Sequence, residues 1–157
     1  MRKSLLSLFV IVLVIAVASL GAAAASHSFK AKLTGKESVP AVKTAAGGEA
    51  VFKLEKGGAG IVYTLEVKGI ENVTAAHIHY GMKGKNGAPV INLFTGPKKD
   101  GKFSGELAKG TIMDKDLHGA LQGKTIDDVV KMIKEGELYV NVHTDKHPDG
   151  EIRGQIR

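Results

Sequence analysis

The sequence predicts a mainly β fold: an antiparallel β-sandwich or barrel carrying one short helix. Three observations predict it. Short segments with alternating apolar and polar residues recur along the chain, the pattern of strands with one buried face. Glycine-rich breaks, drawn from 20 glycines, separate them and act as turns. A single stretch, residues 126–135, repeats its apolar residues with helical spacing. Many short strands at near-regular spacing, with one helix among them, argue for a closed or two-layered antiparallel sheet.

The first residues stand apart from that pattern. Arg2 and Lys3 precede an almost unbroken apolar run from Leu5 to Leu20, and Ala22 to Ala25 are small. This is the layout of a secretory signal peptide. We expect residues 1–25 to be that signal and residues 26–157 to form one domain, exported to the medium, periplasm or cell surface. Left uncleaved, the run is the one expected membrane contact, since about 20 apolar residues suffice to span. No cysteine follows the run, which excludes a lipid-anchored lipoprotein. Indeed the chain has no cysteine at all, so thiolate catalysis, zinc-thiolate sites and iron–sulfur clusters are excluded. The domain is long enough to bury a core without staples. Its net charge is +6, of which two charges are Arg2 and Lys3. The remaining lysines are scattered and aromatics make up 5% of the chain. A solvated basic surface with no nucleic-acid partner is the expectation, because stacking platforms are lacking.

Taken in order, Phe29–Thr34 alternates as a half-buried strand. Residues 35–46 are loop, broken by Pro40, and Glu49–Leu54 is the second strand. Lys56-Gly57-Gly58 turns into Ile61–Val67, with Ile61, Tyr63, Leu65 and Val67 on one face. Gly69 and Asn72 punctuate the chain before a further strand, Ala75-Ala76-His77-Ile78-His79-Tyr80. The glycine-dense stretch 81–87 is a loop. It lacks the Gly-Lys-Ser/Thr ending of a phosphate-cradling loop. Pro89–Phe94 and Phe103–Leu107 are strands. Asp114–Gly119 starts like a calcium loop, but Thr125 stands where the glutamate is required. Thr125 instead caps the helix, Asp128 completes a capping box and Gly136 stops it. Ile126, Val129, Val130 and Ile133 fall on one face. Leu138–Thr144 is a strong strand, and a short connector joins it to Glu151–Ile156, so the two are expected to pair antiparallel.

The chemistry of the chain centres on histidine. Side chains alternate on a strand, so His77 and His79 share a face. Two imidazoles so placed can hold one first-row metal, with the third ligand from another strand. His143 is the candidate, on the polar face of its strand with Tyr139 and Asn141; His147, in a loop, is a weaker fourth. Such a site suits copper or zinc, and it needs neutral rings, so binding weakens below about pH 6. The same histidines can equally form a buried hydrogen-bonding network, each ring satisfied by backbone carbonyls or by Asn141 and Glu151, or touch a ligand or partner protein. Glu151 and Arg153 read either as a surface pair or as groups that orient the rings from behind. Lys83, Lys85 and Asn86 are candidate partner contacts on the glycine-rich loop. No Gly-x-Ser-x-Gly, His-Glu-x-x-His or paired-carboxylate motif occurs. Asn72-Val73-Thr74 is a glycosylation acceptor in a host that modifies such sites.

Several blocks together resemble the CHRD domain, the family named after chordin and found also in microbial secreted proteins. They are Ala75-Ala76-His77-Ile78-His79-Tyr80-Gly81, Gly84–Gly87, Gly110-Thr111-Ile112, Gly136–Thr144 and Pro148–Ile156. The resemblance spans residues 28–157 and implies an extracellular β-sandwich acting as a non-catalytic binding module. Its ligand or protein partner is not implied, since chordin's own antagonism of bone morphogenetic proteins need not extend to a single-domain member. More loosely, the His77/His79 pair is similar to the copper pair of copper–zinc superoxide dismutase, a Greek-key-like sandwich. That likeness implies a small copper or zinc enzyme or carrier. The missing cysteines and the small number of histidines count against a bridged two-metal centre. A third expectation is a cell-surface or matrix interaction domain with structural histidines.

Overall fold

The computed structural model describes residues 28–157; the expected signal segment lies outside the described residues. Seven strands and one helix follow one another: β1 (Ser28–Thr34), β2 (Gly47–Leu54), β3 (Ile61–Tyr80), β4 (Pro89–Phe94), β5 (Lys99–Ile112), α1 (Ile126–Glu135), β6 (Leu138–Thr144) and β7 (Ile152–Gln155). Every strand pairing is antiparallel. Five strands close a barrel in the order β1-β2-β3-β6-β7, while β4 and β5 attach to β3. The seam between β7 and β1 is held by Thr34 facing Arg153 and by a reciprocal pair of backbone bonds between Lys30 and Arg157, 2.7 and 2.9 Å. Strands β1, β2 and β3 are consecutive neighbours, and the late strand β7 returns beside β1, which is a Greek-key arrangement.

Strand β3 organises the fold. The two strands expected at 61–67 and 75–80 are one strand of 20 residues. Gly69 and Asn72 do not end it; both take positive φ, 63° and 52°, and the pairing with β5 shifts register around them. Bulges of this kind bend a strand while its ladder continues. The first half therefore pairs with β2 and β5, and the second half with β4 and β6. Strand β5 is likewise longer than expected, 99–112 rather than 103–107.

Alternation then builds the core. Ile61, Tyr63, Leu65 and Val67 are buried from the first half of β3, and Ala76 and Ile78 from the second. Leu138, Val140 and Val142 meet them from β6, and Phe52 and Leu33 from β2 and β1. Helix α1 has the expected bounds and caps: Thr125 Oγ1 accepts from Asp128 N at 3.3 Å, and Asp128 Oδ2 accepts from Thr125 N at 3.0 Å. Its four apolar residues are buried in the same cluster. The carboxylates of the calcium-like stretch serve backbone instead. Asp114 accepts from Ile126 N and Asp116 from Met113 N.

Strand β6 is buried at all seven positions. One face meets the core; the other carries Tyr139, Asn141 and His143 beneath the loops that follow β1, β3 and β6. We expect Leu65→Ala, a fully buried deletion on β3, to cost about 2–5 kcal/mol in urea unfolding. Val62→Ala, one residue away on the exposed face, is expected to stay within about 0.5 kcal/mol.

Candidate metal centre

The site follows from register. Strand β3 runs beside β6 with His77 opposite Asn141, His79 opposite Tyr139 and Ala75 opposite His143. Opposed residues share a face, so the three histidines point the same way. His143 is the diagonal neighbour of His77 and stands across from the small Ala75, which leaves its ring room to lean toward the pair. Ring centroids are 5.0 Å apart for His77–His143, 5.5 Å for His79–His143 and 5.7 Å for His77–His79. One ring nitrogen from each lies within 4.8 Å of the others.

Two of the rings are oriented by backbone carbonyls. His79 Nδ1 is 2.8 Å from Gly87 O, and His143 Nδ1 is 2.8 Å from Pro148 O. A carbonyl only accepts, so both Nδ1 atoms carry the proton and both Nε2 atoms carry the lone pair. This carbonyl-to-ring arrangement behind metal-binding histidines fixes tautomer and direction. His79 Nε2 is buried with no hydrogen-bond partner. His143 Nε2 stands 3.1 Å from His77 Nδ1. Two nitrogens on one tetrahedral ion, each about 2.0–2.1 Å from it, are roughly 3.3 Å apart, so this spacing fits a shared metal.

Burial sets the charge of the cluster. His79 and His143 are 7% and 9% exposed, and His77 is half-buried. Desolvation, then the neighbouring His143, His79 and His118, push His77 down to about 4. Burial also lowers His79 and His143, against the opposing pull of the Gly87 and Pro148 carbonyls. At neutral pH all three rings are neutral, the state that binds a metal.

The other expected residues divide. Arg153 supports the centre from behind: its guanidinium lies 3.5 Å over the Tyr139 ring, and Tyr139 stacks on His79 at 5.1 Å. It also donates to Met82 O, Lys85 O and Asn86 Oδ1 at 3.0, 2.8 and 3.1 Å. These bonds fasten the loop whose Gly87 carbonyl aims His79. Gly87 itself admits no side chain, because a Cβ there would run into the Tyr80 carbonyl. Asn141 donates to Asp149 O at 2.9 Å and so steadies the loop that supplies the Pro148 carbonyl. Glu151 makes no hydrogen bond to a histidine. Its carboxylate accepts from Thr44 and Thr144, at 2.7 and 2.9 Å, and joins two loops to β6.

His147 is not among the converging rings; its backbone turns the loop by bonding to Thr144. Lys83 pairs with Glu37 at 3.4 Å on the surface, a contact worth little. Lys85 is exposed and contributes its carbonyl to Arg153. Asn86 is exposed but ties the loop down, donating to Val39 O and accepting from Arg153. Tyr139 was not among the expected site residues, although alternation already placed it on the face of Asn141 and His143. The two carbonyl acceptors carry no side-chain signal.

The lowered histidines have a stability consequence. Below about 6.5 an unfolded chain binds protons that these folded rings refuse, so the contribution is fully present above that value and lost as pH falls toward about 4. The melting temperature of chelator-treated protein is expected to fall across that window, with a shallower slope in His77→Gln. A parallel slope in the two proteins would contradict this account of the cluster.

Comparison with curated proteins and with solved structures returns no match. A family model described as the CHRD domain matches residues 29–156, which takes in all of the strands but the first residue of β1, the helix and all three converging histidines. The chain belongs to the CHRD domain family.

Proposed function

We propose that this chain is an exported CHRD-type binding module that holds one divalent transition metal, copper or zinc, on His77, His79 and His143. The observation that carries the reading is the arrangement of the ring nitrogens: they converge within 4.8 Å, and two are freed for coordination by carbonyls on the far side of their rings. Imidazole-only donors favour copper(II) or zinc over calcium or magnesium, which prefer oxygen. Three protein nitrogens leave a position for an outside ligand. The role is non-catalytic binding: the site offers no nucleophile, and its neighbouring cation, Arg153, is held to the loop by three hydrogen bonds. A dismutase-type enzyme would want that cation available to draw in an anion.

The test is elemental analysis of the untagged, exported protein after exposure to copper or zinc. One metal per chain is expected, with His77→Ala and His143→Ala each losing at least 90% of it. Absence of stoichiometric metal after reconstitution overturns the reading.

One observation favours a second reading, in which the histidines are structural. His77 Nδ1 and His143 Nε2 are at hydrogen-bond distance from each other, 3.1 Å. On that reading His79→Ala lowers the melting temperature by the same amount with and without chelator. On the metal reading, chelator and mutation are not additive.

A further inference from the structure

We propose that His77 is the latch of the centre: in the free protein its Nδ1–H closes the site on His143, and it coordinates through that same Nδ1 once the proton has moved to Nε2. The inference rests on the metal reading above and adds how the site opens.

The tautomers follow from the carbonyls. His143 gives its Nδ1 proton to Pro148 O at 2.8 Å, so the neutral ring has a lone pair and no proton at Nε2. That lone pair faces His77 Nδ1 at 3.1 Å. A hydrogen bond needs one proton between the two nitrogens, and His143 has none to give there. His77 therefore carries its proton on Nδ1, the nitrogen that points into the cluster. His79 is set as His143 is: Nδ1 donates to Gly87 O at 2.8 Å, and Nε2 holds the lone pair. Two rings are thus held in the tautomer that coordinates. The third presents a proton where a lone pair is needed.

The surroundings let His77 change and hold the other two fixed. His79 and His143 are 7% and 9% exposed and wall a cavity of about 250 Å³ together with Tyr139 and Asn141. Moving either of their Nδ1 protons would set a lone pair against a carbonyl. His77 is not among those walls. It is half-buried and lies toward β4, the strand that ends the sheet order, with the exposed Asn92 opposite it. Register shifts on both sides of His77-Ile78 break up the ladder to β4 at this point. Among the described residues the one hydrogen bond of the His77 ring is the bond to His143. Its Nε2 is not among the enclosed atoms that lack a partner, so that nitrogen is open to water. The change is then balanced: Nδ1 gives its proton to water, water gives one to Nε2, and the ring stays neutral. The His77–His143 bond breaks, and the Nδ1 lone pair joins the Nε2 lone pairs of His79 and His143. Breaking that bond holds metal affinity back by the net worth of one hydrogen bond, about two- to tenfold.

The experiment uses the untagged protein with isotope-labelled histidine, at neutral pH, before and after loading with zinc, or with copper(I), which is equally diamagnetic, where only copper loads. Metal content is measured on the same sample. Proton–nitrogen correlation spectra of the rings report which nitrogen carries the proton. His77 is expected as Nδ1–H in the free protein and Nε2–H in the loaded one, while His79 and His143 keep Nδ1–H in both. A second measurement uses His77→Nε2-methylhistidine, whose Nδ1 can coordinate but cannot donate. It is expected to bind the metal more tightly than the unmodified protein, by about two- to tenfold. One bound metal with His77 as Nδ1–H in both states, or loss of metal from the methylated protein, places coordination on Nε2 and overturns the inference while leaving the metal reading intact. So does His77 found as Nε2–H in the free protein, or an affinity unchanged by the methyl group. A chain that loads with neither zinc nor copper overturns both.

Discussion

The register between β3 and β6 is the constraint on which the rest depends. It is set on the core side, where Ala76 and Ile78 lie against Val142 and Val140 and all four are essentially inaccessible. A slip of one residue would turn every side chain of the strand to the opposite face. It would bring His77 and His79 into the apolar core and push Ile78 out among the loops. Hydrophobic burial therefore fixes, at no extra cost in polar design, which rings meet on the other side. The same register brings Tyr139 against His79, and the β6–β7 register then sets Asn141 against Arg153, so two successive pairings align the rings and their supports.

That second face is unusual for an antiparallel sheet, which commonly turns polar residues to solvent. Here loops cover it, and Asn141, His143, Glu151 and Arg153 are all buried. Burying such groups destabilises unless each finds a partner. Most do: Glu151 joins Thr44 and Thr144, and Arg153 joins three loop acceptors. The exceptions are informative. Among the described residues four buried side-chain atoms lack a partner: His79 Nε2, His118 Nε2, Asn141 Oδ1 and Gln155 Oε1. Two of the four belong to residues walling the cavity at the histidine cluster. The remaining two, on Gln155 and His118, lie outside that cavity.

Much of this was legible from the order of residues. Period-two alternation gave the inward faces of β1, β3 and β6, and the Thr125/Asp128 box with Gly136 gave both ends of α1. The same alternation gave the shared face of His77 and His79. What alternation could not give was whether a break is a turn or a bulge. Gly69 and Asn72 carry the chemistry of either, and only the neighbouring ladders of β2, β5 and β6 decide that the strand continues through them. Glu151 shows the matching limit at the site. Proximity along the chain placed it near His143, but it lies just before β7, and Thr44, a residue 107 positions away, takes one of its oxygens. That backbone carbonyls could hold the rings was an expectation of the sequence, but not that they are those of Gly87 and Pro148, since every residue has one and only the fold says where it points.

The bend in β3 joins these observations. A straight strand of 20 residues would belong to a single sheet; bent at Gly69 and Asn72, it lends one half to β2 and β5 and the other to β4 and β6. The half that holds His77 and His79 is thus the half whose partners are β4 and β6, with β7 next beyond. Because β6 and β7 come last in the chain, the histidine pair and its third member meet only when the C-terminal hairpin docks, 66 residues after His77. The hairpin that brings His143 to the pair through β6 also carries β7, the strand that closes the barrel against β1. A chain whose β6–β7 hairpin failed to dock on β3 would part His143 from His77 and Arg153 from the loop that aims His79. One hairpin thus serves both the closure of the fold and the meeting of the rings, and a small domain without cysteine holds three imidazoles together through strand pairing alone.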